Sequence, residues 1–509
     1  MLKIWKLVVA VAGGTILNLG FPDANLWPLI FVAVAMLWWT IDDATAWSAL
    51  GLGWAFGIAF FAPHVWWAYV SVGPIPWAAL SIVEGLAIGL AAAAWVHVDL
   101  SGVLERLLWL RAPVFALVWV GMEQLRSMVP FGGFPWGRVA FGMVDSPVAR
   151  LAWLGGAPLV SWVTVTIGAL VAIGVAALRA RIPLMAATAP FAAVVLLLVG
   201  LAMPIAAQAQ AGTLRTGVVQ GNVPNAGLDA FAQARQVTEN HLAQTHLLIA
   251  SEPGPMDVLL WPENSADYDP RTDVRTFEAV SEAAQIAGVP LLLGTGDYSP
   301  DNGRYNASLL WTADGTVLAQ YNKQRPAPFA EYIPMRSVAR FFSKEVDRVR
   351  TDMVAGDRPG VVPLPVERLD RDVTLGVVIC FEVAYDWVVR DSVANGAEIL
   401  IVQTNNANFG RTAESTQQLA MTRFRAMETG RAAVQVSTVG VSAVVLPNGR
   451  VVEQTGLFTA EHMYAELPLR SEITPAVKWG LALEWLFALV PGLLVTYSML
   501  RRVGERYEW

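Results

Sequence analysis

Over its first 206 residues the chain strings together long apolar stretches with few charges, whereas residues 207–475 alternate short apolar runs with charged and turn-forming positions. A helix needs roughly 20 apolar residues to cross the hydrocarbon of a bilayer. Seven stretches fit, at about 5–21, 25–41, 45–68, 76–98, 112–129, 151–178 and 183–206, and an eighth covers about 476–499. The sixth is long enough to tilt or re-enter. The first reads as an uncleaved anchor, because further spans follow at once. The pattern predicts a membrane domain of seven transmembrane helices over 1–206, a globular domain over 207–475, and an eighth transmembrane helix with a tail over 476–509.

Within the globular part, continuous apolar runs predict strands at Leu214 to Gln220, Val258 to Trp261, Val289 to Gly294, Ala307 to Trp311, Val317 to Tyr321, Thr374 to Cys380, Ile399 to Gln403, Ala433 to Ser437 and Ser442 to Leu446. Helical spacing covers Ala232 to Ser251, Thr276 to Ala287 and Ser415 to Gly430. Ala313-Asp314-Gly315 and Pro447-Asn448-Gly449 are turn signals that close hairpins. The expected fold is a layered α/β domain with hairpins.

Composition supports a life in lipid: 55% of the residues are hydrophobic, 15% are charged, and 21 are Trp. Lys and Arg in the short loops set the orientation. With a cytoplasmic N-terminus, the inside receives Lys3, Lys6, Arg106, Arg111, Arg179, Arg181, Arg501, Arg502 and Arg506, and the outside receives Arg138 and Arg150. Nine against two puts the globular domain outside the cytoplasm. The net charge of −7 gives no sign of nucleic-acid binding. Few charges fall inside the spans, which disfavours a transporter.

Chemistry concentrates where strands end. Cys380, the single cysteine, terminates the run Leu375-Gly376-Val377-Val378-Ile379 and precedes Phe381-Glu382. A thiol there is placed like a nucleophile, although a free cysteine is also commonly a small buried hydrophobe. Glu263 follows a strand in Trp261-Pro262-Glu263-Asn264. Lys323 follows another in Tyr321-Asn322-Lys323, and Glu331 comes eight residues later. Each alone fits a surface position, but together they offer base, oxyanion stabiliser and nucleophile. The five His show no metal-ligand spacing. In the membrane part, Glu123 and Arg126 have the i, i+3 spacing of a pair on one helix face, and Gly132-Gly133-Phe134-Pro135-Trp136 suits an interfacial loop.

Trp261-Pro262-Glu263-Asn264, Tyr321-Asn322-Lys323 with Pro328-Phe329-Ala330-Glu331-Tyr332, and Cys380-Phe381-Glu382 resemble, in order, the three catalytic motifs of the nitrilase (carbon-nitrogen hydrolase) superfamily. The flanking spans, Glu123-x-x-Arg126 and Gly133-Phe134-Pro135-Trp136 resemble its membrane branch, the apolipoprotein N-acyltransferases. That resemblance implies eight spans with an extracytoplasmic αββα sandwich between the last two, in a bacterial cytoplasmic membrane. It implies Cys380 as nucleophile, Glu263 as general base, Lys323 as oxyanion stabiliser, and Glu331 and Glu382 as supporting acids. The implied reaction is ping-pong: a phospholipid acylates Cys380, and the α-amino group of a diacylglyceryl-cysteine on an apolipoprotein takes the acyl chain. It calls for no metal, nucleotide or other cofactor and for a monomer. A membrane-anchored amidase and a non-enzymatic membrane scaffold are the alternatives.

The chain departs from the family pattern in two places. Asn405-Asn406-Ala407-Asn408-Phe409-Gly410 stands where the family often has Asn-Asp-x-Trp-Phe-Gly, and Leu228 stands where many relatives have Trp. Both suggest an altered lipid or lipoprotein preference with the triad positions intact.

Overall fold

Twelve strands form two six-stranded sheets among the residues described by the computed structural model, which are 4–105, 107–223, 235–298 and 303–507. In chain order they are β1 Thr213–Gln220, β2 Val258–Leu260, β3 Leu291–Tyr298, β4 Arg304–Trp311, β5 Val317–Asn322, β6 Val361–Val366, β7 Arg371–Ile379, β8 Ile399–Thr404, β9 Ala433–Ser437, β10 Ala443–Val445, β11 Val451–Gln454 and β12 Glu461–Pro468. The first sheet has the order β12-β1-β2-β3-β4-β5 and the second β11-β10-β9-β8-β7-β6. In each, a parallel centre is bordered by antiparallel strands: β1-β2-β3 in the first and β7-β8-β9 in the second. Both predicted turns close hairpins, β4–β5 and β10–β11.

Alternation along the strands explains the layering, since neighbouring residues point to opposite faces. Val258, Leu260, Leu292 and Leu310 join Leu364, Leu375, Val377, Ile379, Ile401 and Val434 in one core shared by the two sheets. Their neighbours Leu259, Leu291, Leu293, Leu309 and Trp311 face the other way and pack with Leu248, Val280, Ala283 and Ala284. Those last four sit on helices Gln236–Ala250 and Val274–Ala287. Helices Asp386–Ala394 and Glu414–Thr429 pack on the second sheet. The result is an αββα sandwich. The predicted helix start at Ala232, and Leu228, lie outside the described residues.

Three strands were not expected from the sequence: β6, β11 and β12. All three lie on sheet edges. β6 carries Pro363 and Pro365, which an edge tolerates because one row of its amides needs no partner.

The chain divides into two compact units. One comprises Ile205–Lys478 with Val70–Gly73; the other comprises residues up to Tyr69, Pro74–Pro204 and those from Trp479 onward. Helices occupy the eight predicted stretches: Ile4–Leu19, Pro28–Ile41, Ala46–His64, Pro74–Asp99, Arg111–Arg126, Ala152–Arg179, Pro183–Leu198 and Pro475–Tyr507. Five segments, Ala46–His64, Pro74–Asp99, Pro147–Arg179, Pro183–Ala202 and Pro475–Arg502, are long and apolar enough to cross a membrane. Helix Ala152–Arg179 is kinked, with Gly155 and Gly156 out of helical geometry just before Pro158. Helices Ala46–His64 and Pro74–Asp99 touch backbone to backbone. A Cβ on Gly57 would sit 2.4 Å from the Gly85 carbonyl oxygen, the close approach that small residues permit between apolar helices.

The expected pairing of Arg126 with Glu123 is not formed. Arg126 Nη1 lies 3.1 Å from Glu84 Oε2 and donates to the carbonyls of Phe134 at 2.7 Å and Trp136 at 2.9 Å. Glu123 Oε1 instead accepts from the Trp119 indole at 3.1 Å and the Val139 amide at 3.0 Å. Spacing brought the two residues to one helix, but the planar guanidinium followed the larger set of acceptors on neighbouring segments.

Candidate active site

Three strand ends bring the candidate residues together in the sandwich. Pro262 ends β2, and Glu263 turns out of the sheet to accept from Asn306 Nδ2 at 2.7 Å and from the Asn405 amide at 2.8 Å. Lys323 follows β5, its backbone amide held by the Asn306 carbonyl at 2.9 Å. Its Nζ lies 3.0 Å from Glu331 Oε1 and 3.5 Å from Glu263 Oε1. Asn306 Nδ2 also donates to Glu331 at 2.9 Å, so one amide spaces the two carboxylates around one ammonium. The Ala327 amide fixes the other Glu331 oxygen at 2.6 Å.

Cys380 stands directly after β7, at φ 54°. A left-handed backbone at a residue with a Cβ costs roughly 1–2 kcal/mol and marks a sharp turn that lifts the side chain off the sheet. Cys380 is partly exposed, in contrast to Lys323 at 2% and Glu263 at 4%.

Glu382 is fully enclosed and satisfied. It accepts from the Tyr321 hydroxyl at 3.0 Å, from the amides of Gln324 at 2.7 Å and Arg325 at 3.0 Å, and from the Ile379 amide at 2.8 Å. Its carboxylate therefore ties the loop bearing Lys323 to the residue before Cys380. Glu331 touches the Lys323 ammonium, whereas Glu382 holds two segments in register.

Electrostatics divide the roles. Burial and the nearby Glu263 carboxylate push the Cys380 thiol well above its ordinary range, against the pull of Lys323. The resting group is a thiol. Burial raises Glu263 above the usual carboxylate range, tempered by Lys323 and reinforced by Glu331. Burial works to lower Lys323, but Glu331 and Glu263 outweigh it and keep the ammonium charged. No group of three or more His, Cys, Asp or Glu placed to hold a metal occurs among the described residues.

Asn306 was missed in the sequence. It is a polar residue one place before the predicted β4 run Ala307 to Trp311, and it is 1% exposed, which only the fold reveals. The loop with the unusual Asn406 does reach the site, through the Asn405 amide on Glu263. Asn406 itself is buried.

Residues 215–474 match the carbon-nitrogen hydrolase family, and residues 13–170 match the apolipoprotein N-acyltransferase N-terminal domain. The apolipoprotein N-acyltransferase of Mycolicibacterium smegmatis is 35% identical over 501 residues, covering 93% of this chain and 82% of that protein. This chain belongs to the apolipoprotein N-acyltransferase family. The Azotobacter vinelandii apolipoprotein N-acyltransferase is 28% identical, with 98% of this chain and 96% of that one covered. Among solved structures, an amidase from Nesterenkonia of the nitrilase superfamily aligns with TM-score 0.38 and 20% identity over 51% of this chain and 92% of its own.

Proposed function

We propose that this membrane-bound member of the apolipoprotein N-acyltransferase family moves a fatty acyl chain from a phospholipid to the α-amino group of the N-terminal diacylglyceryl-cysteine of apolipoproteins, by way of a thioester on Cys380. The convergence of Glu263, Lys323 and Cys380 at three strand ends carries the reading. Glu263 takes the thiol proton as sulfur attacks the ester carbonyl carbon. The tetrahedral oxyanion forms beside the Lys323 ammonium, a placement typically worth a few kcal/mol in a dry site. Its collapse breaks the carbon–oxygen ester bond, and the proton held by Glu263 leaves with the lysophospholipid. In the second half, the α-amine attacks the thioester, gives a proton to Glu263, and expels the Cys380 sulfur, which takes that proton back.

The same reading divides the chain at residues 206 and 475 into seven spans, an extracytoplasmic catalytic domain, and a last span with a cytoplasmic tail, acting as a monomer in the bacterial cytoplasmic membrane. The excess of Lys and Arg in the alternate loops supports that orientation. Incubating the purified chain with phospholipid and weighing it by mass spectrometry is the decisive test. A fatty-acyl adduct that vanishes on adding a diacylated lipopeptide, with N-acylated product appearing, is expected. Release of free fatty acid to water alone would mean an amidase-type hydrolase instead.

A further inference from the structure

The Cys380 sulfur has neighbours beyond Glu263 and Lys323. Gln418, on helix Glu414–Thr429, places Nε2 3.7 Å from Cys380 Sγ, and Thr404, at the end of β8, places its hydroxyl at 3.9 Å. Gln418 Oε1 accepts from Thr404 Oγ1 at 2.7 Å and from Asn406 Nδ2 at 2.9 Å. Asn406 Nδ2 also donates to Glu414 Oε2 at 2.6 Å. Asn406 Oδ1 accepts from Ser437 Oγ at 2.5 Å, and Ser437 Oγ in turn accepts from the Gly440 amide at 2.8 Å.

The direction of this chain follows from its acceptors, because Asn406 sets one group against two acceptor oxygens, Glu414 Oε2 and Gln418 Oε1, and that group is the donating amino nitrogen. Ser437 Oγ, accepting from the Gly440 amide, gives its hydrogen to Asn406 Oδ1. That leaves the Asn406 amino group facing Gln418 Oε1, and so leaves the Gln418 amino group facing sulfur. Thr404 spends its single hydrogen on Gln418, so the sulfur's donor on this side is Gln418. Gln418, Thr404 and Ser437 are 0% exposed and Asn406 is 2% exposed, so bulk water does not compete for these bonds. The backbone is shaped for the chain as well: a Cβ on Gly440 would fall 2.1 Å from Asn406 Oδ1.

We propose that Gln418 is a further catalytic residue, whose amide N–H stabilises negative charge on the Cys380 sulfur, with Asn406 and Ser437 as the positioning residues that aim it. This rests on Cys380 being the acyl carrier. Charge sits on sulfur twice: after Glu263 has taken the thiol proton and before the sulfur–carbon bond forms, and again when that bond breaks and the electron pair returns to sulfur. A hydrogen bond to the charged form favours it. The need is plain from the surroundings. Glu263 after β2, Glu331 beyond β5 and Glu414 on the helix all act against a thiolate, and Lys323 is the cation that favours it. Asn406, a departure from the family motif, thereby serves the nucleophile rather than choosing the lipid.

The test uses the full-length chain in phospholipid nanodiscs. Iodoacetamide alkylation followed against pH reads Cys380 alone, since it is the single cysteine. Gln418→Met, similar in volume but without a donor, is expected to move the alkylation midpoint up by about one pH unit. It is also expected to slow thioester formation about 10-fold, with KM for phospholipid unchanged. Asn406→Asp places an acceptor against Gln418 Oε1, turns that amide around, and is expected to shift the midpoint the same way. An unmoved midpoint in folded Gln418→Met overturns the proposal; if that variant does not fold, an unmoved midpoint in Asn406→Asp does so. In either case a wild-type acyl adduct leaves the Cys380 assignment standing. A wild-type chain without an adduct, together with a fully active Cys380→Ser variant, would remove that assignment itself.

Discussion

Two buried ion clusters, one in each compact unit, show how similar ingredients serve different ends. In the helical unit, Arg126 meets one carboxylate, Glu84, and the carbonyls of Phe134 and Trp136, with its guanidinium 5.2 Å from the Phe61 ring. Positive and negative charge balance there, and the guanidinium is wrapped by acceptors. In the sandwich, Lys323 meets two carboxylates, Glu263 and Glu331, beside a thiol. One cation cannot cheaply hold two buried carboxylates and a thiolate ionised at once. A proton is therefore always available to move among them. Balanced charge makes a strut; surplus acid makes a site.

The largest break of the comparison is Cys380→Ser. It should leave unfolding unchanged while removing the acyl adduct and lowering transfer by on the order of 10³-fold or more, read by mass spectrometry and lipopeptide acylation. Arg126→Met should do the reverse, costing about 3–5 kcal/mol because Glu84 is left buried alone. The double variant with Glu84→Leu should recover most of that loss in thermal unfolding. Activity per folded molecule should survive in both; a strong loss would make Arg126 more than a strut.

Lys323→Met should lower kcat about 10²- to 10³-fold with KM held, as expected when a donor acts on a developing oxyanion. Equal damage to binding would make Lys323 a headgroup contact. Glu414→Gln sharpens the charge argument through stability. Burial raises Glu414 to about 8 from an ordinary 4.5, so the folded state holds the extra proton and wild-type stability is lost as pH rises from about 4.5 to about 8. The variant should lack that slope, which denaturant titrations at several pH values would read. The smallest effect is expected from Glu331→Gln. Glu263 must be unprotonated to act, so thioester formation falls as pH drops through its raised pKa. Removing the Glu331 charge, which helps raise it, should move that acid limb to lower pH.

The candidate site was more legible than three of the four edge strands, for a physical reason. Strands covered on both faces read as unbroken apolar runs, and Glu263 and Cys380 stand out because each ends such a run; Lys323 emerged as the cation just past the hairpin strand β5. Edge strands β6, β11 and β12 have exposed positions, so prolines and charges at Pro363, Glu453 and Glu466 masked them. Gln418 gave no signal at all. A glutamine inside a helical run reads as surface until the fold buries it.

By itself the sequence determined where the long apolar segments lie, which strands form the sandwich centre, and where a thiol, an acid and an amine leave the ends of those strands. Local patterns suffice for this, since hydrophobic period and turn chemistry act over a few residues. Tertiary structure alone decided partners. It gave Arg126 to Glu84 rather than to Glu123, set Asn306 between two carboxylates, and aimed the Gln418 amide at sulfur. Each choice depends on groups far apart in the chain competing for buried donors and acceptors, and no local pattern records the outcome of that competition.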